Sequence, residues 1–266
     1  MDLNLTFASF FVGILVGLTG VGGAALMTPL LIVVFGIPGS IAIGSDVMSA
    51  TLMKIVGGYK HWQQKTVDLE IVKWLALGSV PGSFGGIAIL ALARNQGVVN
   101  LDSMLVRVVG VVIFIVAFSS LAGMVLSVFT KGKSEKLFDL PKFDLQTTKG
   151  RILSMVVGAV LGCAVGLTSV GSGSLFAIAL IAFFRLDPQK LVGTDIVQAA
   201  ILLVFTAIGH WSLGTVNWAL VVPIWLGTVP GVIVGAKLCS ITPKPALQLT
   251  LYTLLVVVGW QLMTRI

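Results

Sequence analysis

Charge is what this chain has least of. Only 10% of its 266 residues are Asp, Glu, Lys or Arg, against about 25% in an ordinary soluble domain. With 57% hydrophobic residues and a mean hydropathy of +1.07, it cannot surround one core with a water-facing surface. A soluble fold is excluded and an integral membrane protein is expected. The longest polar stretch, 130–150, leaves no room for a separate soluble domain. Cysteine is nearly absent. Cys163 and Cys239 sit in apolar surroundings and are expected as small packing residues, with no disulfide or thiolate metal site implied. His61 and His210 have no acids at ligand spacing, so neither a metal centre nor any other cofactor is expected. Met1-Asp2-Leu3-Asn4 lacks the positive region of a signal peptide, so no cleaved leader is expected.

The net charge of +7 does not indicate a nucleic-acid partner. Lys131, Lys133, Lys136, Lys142, Lys149 and Arg151 crowd one connection between apolar runs. Cytoplasmic loops of membrane proteins look like this.

What the chain does have is an internal repeat. Gly17 to Gly86 aligns without gaps on Gly166 to Gly235 at a constant offset of 149, and about a third of the positions are identical. The matches cluster. Gly17-Leu18-Thr19-Gly20-Val21-Gly22 answers Gly166-Leu167-Thr168-Ser169-Val170-Gly171, and Gly44-Ser45-Asp46 answers Gly193-Thr194-Asp195. His61-Trp62 answers His210-Trp211, and Val80-Pro81-Gly82 answers Val229-Pro230-Gly231. In an apolar chain a two-fold repeat of this kind suggests a transporter.

Four apolar stretches make up each half: 5–35, 41–59, 71–93 and 103–129, then 152–184, 191–209, 216–238 and 246–263. The later three of each set suit single tilted spans. The first is longer and is interrupted by glycines. Read as one broken crossing, it gives parallel halves. Read as a hairpin returning to its own side, it gives five segments per half and turns the second half upside down. On the second reading the basic loops fall on one side, leaving Arg94, Arg107 and Arg265 opposite and Lys54 inside a span. The positive-inside bias therefore favours inversion. The expected fold is an all-α polytopic membrane protein of two inverted-topology repeats, each a Gly-broken, re-entrant-like helical hairpin plus three transmembrane helices. Its parts are an N-terminal repeat at 1–130, a basic cytoplasmic linker at 131–150 and a C-terminal repeat at 151–266.

Each hairpin arm has about 14 residues, or ~21 Å of helix, enough to pass the bilayer midplane but short of the full core. The turns carry Gly17, Gly20, Gly22 and Gly23 in one half, and Gly166, Ser169, Gly171, Ser172, Gly173 and Ser174 in the other. Glycine permits the tight turn, and the backbone N–H groups it frees must face protein or a polar cavity. With Thr19 and Thr168 added, these groups form a ring of short donors at helix N-termini, suited to a small oxyanion between the halves. The expected substrate-binding set is Thr19, Gly20, Gly22, Gly23, Thr168, Ser169, Gly171, Ser172, Gly173 and Ser174. The plainer alternative is that the glycines only let helices pack closely.

These motifs carry a family resemblance. Gly17-Leu18-Thr19-Gly20-Val21-Gly22-Gly23 with Pro29, Gly166-Leu167-Thr168-Ser169-Val170-Gly171-Ser172-Gly173-Ser174, and the two Gly-Ser/Thr-Asp triplets resemble the TauE/SafE sulfite exporters over essentially the whole chain. One departure is Ala24, where a third consecutive glycine is expected and a methyl group narrows the turn. The resemblance implies a multi-pass permease of the bacterial inner membrane. It would move sulfite or an organosulfonate outward, with the lipid bilayer and the small anion as partners and the oligomeric state left open.

Charges inside the spans supply candidate coupling or gating residues: Asp46, Lys54, Asp195 and Gln198. Asp46 and Asp195 read either as helix N-caps or as proton-relay carboxylates, since intramembrane acids are costly to keep. Lys54 reads as an anion-compensating cation, a partner of Asp46, or a snorkelling side chain. His61-Trp62 and His210-Trp211 close their spans and are expected as interface anchors. Pro81 and Pro230 each free a carbonyl four residues back, at Leu77 and Leu226, with Ser79 and Thr228 placed to satisfy it. The functional expectation is alternating-access export with proton coupling. A passive anion channel, a cation-coupled importer and a membrane-embedded enzyme stand as alternatives. The last lacks any nucleophile or acid at a convincing spacing.

Overall fold

Helix follows helix along the chain. The computed structural model describes residues 3–19, 23–98, 100–129, 142–184, 186, 188–238 and 244–264, and no strand occurs among them. The first half contains α1 (Leu3–Thr19), α2 (Ala24–Pro29, continued as a π-helix over Leu30–Val34), α3 (Gly39–Gln63), α4 (Leu69–Asn95) and α5 (Leu101–Phe129). The second contains α6 (Thr148–Thr168), α7 (Ser174–Ala179, continued as a π-helix over Leu180–Phe184), α8 (Pro188–Ser212), α9 (Trp218–Leu238) and α10 (Lys244–Thr264). The same five-element order thus occurs twice. Among the described residues six helices are long and apolar enough to cross a membrane: α3, α4, α5, α6, α8 and α9. Local chemistry sets some of the ends. Asp68 caps α4 by accepting the N–H groups of Glu70 and Ile71, both at 3.2 Å. Thr147 caps α6 by accepting the Gly150 N–H at 3.1 Å.

The Gly-broken stretch differs from the equal arms expected. Its first arm has 17 residues in α1 and 21 in α6. Its return has six α-helical and five π-helical residues in each half. The reason is where the first arm ends, at residues 19 and 168, which leaves little chain before Gly36 and Leu186. Gly20 and Gly22 lie outside the described residues, as does most of the linker. Its described end is packed rather than loose: Phe143 stacks on Phe183 with ring centroids 4.5 Å apart. Cys163 is half-buried in α6, and Cys239 lies outside the described residues.

Close backbone packing joins the two halves. Gly78, Gly82 and Gly86 of α4 lie against the backbone of Met155, Ala159 and Cys163 of α6, so the two helices run parallel. In the same register, Gly227, Gly231 and Gly235 of α9 lie against Thr6, Phe10 and Ile14 of α1. Between α3 and α8 the numbering runs oppositely. Thr51 Oγ1 donates to the Leu203 carbonyl at 3.1 Å, while Gly58 lies against Val197. On α5 and α10, Gly110 meets Met263 and Phe114 meets Gly259, again antiparallel. Small residues at such contacts are what lets helices approach where lipid supplies no hydrophobic drive. Large apolar side chains face outward instead: Phe7, Ile115, Phe118, Val257 and Trp260 are all more than half exposed. A water-soluble monomer does not tolerate so broad an apolar surface.

Pro81 and Pro230 lie inside α4 and α9 without ending them. Of the two hydroxyls expected to satisfy the freed carbonyls, that of Thr228 donates elsewhere. Thr228 donates to the Ile224 carbonyl at 2.7 Å, and Ser79 receives the Gln198 side-chain amide at 2.8 Å.

Candidate functional site

The two Gly-Ser/Thr-Asp triplets show how α3 and α8 are placed. Gly44 and Gly193 allow contact with the loops that follow α8 and α3. A Cβ on Gly44 would come within 2.5 Å of Thr215 Oγ1, and one on Gly193 within 2.6 Å of Thr66 Oγ1. The next residue fastens each loop. Ser45 accepts the Asn217 N–H at 3.0 Å, and Thr194 accepts the Asp68 N–H at 2.9 Å. The third residue, Asp, faces a shared cavity. Neither aspartate is an N-cap, because α3 begins at Gly39 and α8 at Pro188.

That cavity has a volume of about 450 Å³ and draws on both halves. Gly23 and Ala24 line it at the start of α2, and Ser172 and Gly173 line it just before α7. Asp46, Ser49 and Lys54 reach it from α3, Asp195 from α8 and Thr228 from α9. The remaining wall is apolar, with Val12, Val16, Met27, Met53, Ile196 and Ile224 prominent. Ala24, which stands where the family resemblance implies glycine, is buried at this wall.

The polar groups are held differently. Asp46 Oδ2 accepts from Thr28 Oγ1 at 2.6 Å and from Ser169 Oγ at 2.9 Å. Ser169 reaches it because the residue ends α6 in the left-handed region at φ 62°, and Gly171 at φ 99° carries the turn onward. Thr168 braces the same turn, donating to the Ala164 carbonyl at 2.7 Å and accepting the Val170 N–H at 3.2 Å. Lys54 Nζ lies 3.7 Å from Asp195 Oδ2, an ion pair between the halves. Asp195 Oδ1 and Gln198 Oε1 are buried and have no hydrogen-bond partner.

The structure thus brings together Gly23, Ser172, Gly173, Asp46, Lys54 and Asp195 from the residues expected at the site. It moves others to supporting places. Thr168, Ser169 and Gly171 build the turn, Ser174 opens α7 away from the cavity wall, and Gln198 points its amide at Ser79. The side chain of Thr19 lies outside the described residues. Lys54 pairs with Asp195 rather than Asp46, because the antiparallel crossing of α3 and α8 brings Asp195 beside it while Asp46 lies about two turns away along its own helix. Trp62 and Trp211 are exposed as interface residues would be. His210 is not an interface anchor. It is fully buried, with Nε2 2.9 Å from the Gly166 carbonyl and Nδ1 3.0 Å from Thr215 Oγ1. A carbonyl only accepts, so Nε2 carries the proton. Sequence reasoning missed Thr28, Ser49, Met27 and Met53. Thr28 gave no repeat signal, since its counterpart is Ala177, and the others look like ordinary helix residues.

The family model described as sulfite exporter TauE/SafE matches residues 5–262. A probable membrane transporter protein, YjnA of Bacillus subtilis, is 39% identical over 265 residues, covering 98% of this chain and 100% of the relative. A second from that organism, YdhB, is 24% identical and covers 91% of this chain and 92% of its own. A probable membrane transporter protein of Xylella fastidiosa is 25% identical over 86% of this chain and 81% of the relative. No solved structure matches the chain significantly.

Proposed function

Because this chain belongs to the TauE/SafE sulfite exporter family and is a multi-pass membrane transporter, we propose that it carries a small sulfur-containing anion across the bacterial inner membrane by alternating access. The observation that carries this reading is a half-buried lysine, Lys54, in a cavity that both halves line. An intramembrane cation is costly unless something anionic meets it. Asp195 lies beside it at 3.7 Å, and a sulfonate or sulfite oxygen can take that place when substrate binds. Ser172 adds a hydroxyl close by, whereas those of Ser49 and Thr228 donate to carbonyls of their own helices.

The halves lie in opposite orientations on this reading. Support comes from the helix pairs: α3 crosses α8 and α5 crosses α10 antiparallel, while α1 follows α9 and α4 follows α6. Such pairings suit a two-fold axis in the membrane plane, with the site on it. Rocking of one half against the other would expose the cavity to each side in turn. Export is the direction the family description suggests, and coupling or gating is assigned to the cluster of Asp46, Lys54, Asp195 and Gln198.

One observation favours an organosulfonate over bare sulfite. A volume of about 450 Å³ with walls of Met27, Met53, Val12, Val16, Ile196 and Ile224 accommodates a short apolar group beside the acid. The test is counterflow in proteoliposomes, with labelled sulfite, sulfate, thiosulfate and short alkanesulfonates compared. A carrier accelerates label entry when unlabelled substrate waits inside, and sulfite or a sulfonate should give that acceleration at fixed pH without sodium. Equal entry with and without internal substrate indicates a channel, and a strict sodium requirement indicates a cation-coupled importer.

A further inference from the structure

Asp46 and Asp195 occupy equivalent positions in the repeat, yet their surroundings differ. Both donors to Asp46 are hydroxyls, Thr28 from its own half and Ser169 from the other. At the repeat offset Thr28 becomes Ala177 and Ser169 becomes Gly20, so neither hydroxyl is repeated for Asp195. In their place Asp195 has Lys54, which is itself unrepeated, since its counterpart is Leu203. Three repeat positions therefore differ around one pair of carboxylates. Two further facts set Asp195 apart. Its Oδ1 is buried without a partner, and so is Gln198 Oε1, one turn along the same face of α8. Both atoms are acceptors lacking a donor, which is costly inside a protein.

Resting on the anion-transporter reading, we propose that Asp195 and Lys54 form an exchange pair, while Asp46 is a fixed latch between the halves. A small anion takes Lys54 from Asp195, and a proton from the aqueous side then facing the cavity binds Asp195 in the same event. The charge balances. The empty pair holds one ammonium and one carboxylate, and the loaded site holds one ammonium, one anion and a neutral carboxylic acid. The new O–H supplies the donor that this part of α8 lacks. Among the described residues lining the cavity, Asp46, Lys54 and Asp195 are the only charged ones. The elements around Asp195 present Lys54 and Asp46 from α3, and Ala177 from α7 with Ser172 and Gly173 just before it. From α4, Ser79 meets Gln198. His210, far along α8, is engaged by Gly166 and Thr215 and faces none of this.

One proton accompanies each anion, and for a monovalent anion the occupied and empty cavities carry equal charge. An inward proton gradient therefore favours entry. Export proceeds when the outward anion gradient exceeds it.

Binding linkage tests the assignment. Ethanesulfonate, whose charge is constant across the range, is titrated against purified full-length protein between pH 5 and 8, with sulfite at one fixed pH as a second ligand. Coupled uptake of one proton makes Kd for ethanesulfonate weaken up to about tenfold per pH unit in the wild type. Asp195→Asn should bind with no pH slope, Asp195→Glu should restore the slope, and Lys54→Leu should weaken binding at least tenfold at every pH. Asp46→Asn should keep the slope while lowering the thermal midpoint. A wild-type Kd that does not vary with pH, a slope surviving in Asp195→Asn, or a slope lost in Asp46→Asn overturns the exchange pair and leaves the transporter reading intact. Should Asp195→Asn fail to fold, Lys54→Gln/Asp195→Asn, which removes both charges, takes its place with the same expected lack of slope. Absence of binding by either ligand to folded wild type overturns the anion-transporter reading and this assignment with it.

Discussion

Replacing Gly82 with alanine should cost the protein stability, and replacing Gly85, one turn along the same helix, should not. A Cβ on Gly82 would come within 2.8 Å of both the Cα and the carbonyl carbon of Ala159, with the carbonyl oxygen nearer still. These are backbone atoms of α6 and cannot rotate aside, so α4 and α6 must separate. A Cβ on Gly85 meets nothing within 4 Å. Both substitutions share the gain of roughly 1 kcal/mol that alanine brings over glycine in a helix. Their difference therefore isolates the cost of overpacking, about 1–3 kcal/mol. At roughly 2–4 °C per kcal/mol for a chain of this size, thermal midpoints of the two variants should differ by about 2–12 °C. Differential scanning fluorimetry of the detergent-purified variants measures this, with Gly82→Ala the less stable. Equal midpoints would refute the close α4–α6 packing on which the joining of the halves rests.

Three further outcomes are expected. Gly171→Val places a β-branched side chain at φ 99° and within 2.5 Å of Leu175 Cδ1, so transport in vesicles should be lost while the protein still reaches the membrane; normal flux would show that this turn does not shape the path. His210→Ala leaves the buried Gly166 carbonyl unpartnered and should cost about 1–3 kcal/mol, whereas His61→Ala, at a half-buried site, should cost less; a thermal melt showing the reverse order contradicts the assignment of His210 as a tie. Ser45→Ala removes the acceptor of the Asn217 N–H and should lower stability by about 1 kcal/mol, with faster amide exchange at 213–217 as its local sign.

Much of the fold was legible because a membrane narrows the choices. Apolar runs of span length become helices, and the boundaries at 39–63 and 188–212 follow the repeat closely. The hairpin arms were less so, since the sequence marks where glycines cluster but not how much helix continues before the turn. Within the site, the Gly-Ser/Thr-Asp triplets drew attention as a motif, but their division of labour depends on loops of the other half. The N-cap alternative for Asp46 stayed open because the sequence does not say that α3 already begins at Gly39. For Lys54 the only ion-pair partner weighed was Asp46, because sequence proximity is visible and an antiparallel crossing is not. Thr28 was invisible for the opposite reason: it matters through a difference between the repeats, and the repeat comparison rewards sameness.

Orientation of the halves is the claim to test first, and thiol accessibility reads it directly. In a background with Cys163 and Cys239 replaced, Lys65→Cys and Ser212→Cys mark the ends of α3 and α8. Oppositely oriented repeats predict that a membrane-impermeant maleimide labels one of them from outside intact cells and the other only in inside-out vesicles. Labelling of both from the same side would contradict the inverted arrangement and the shared cavity built upon it.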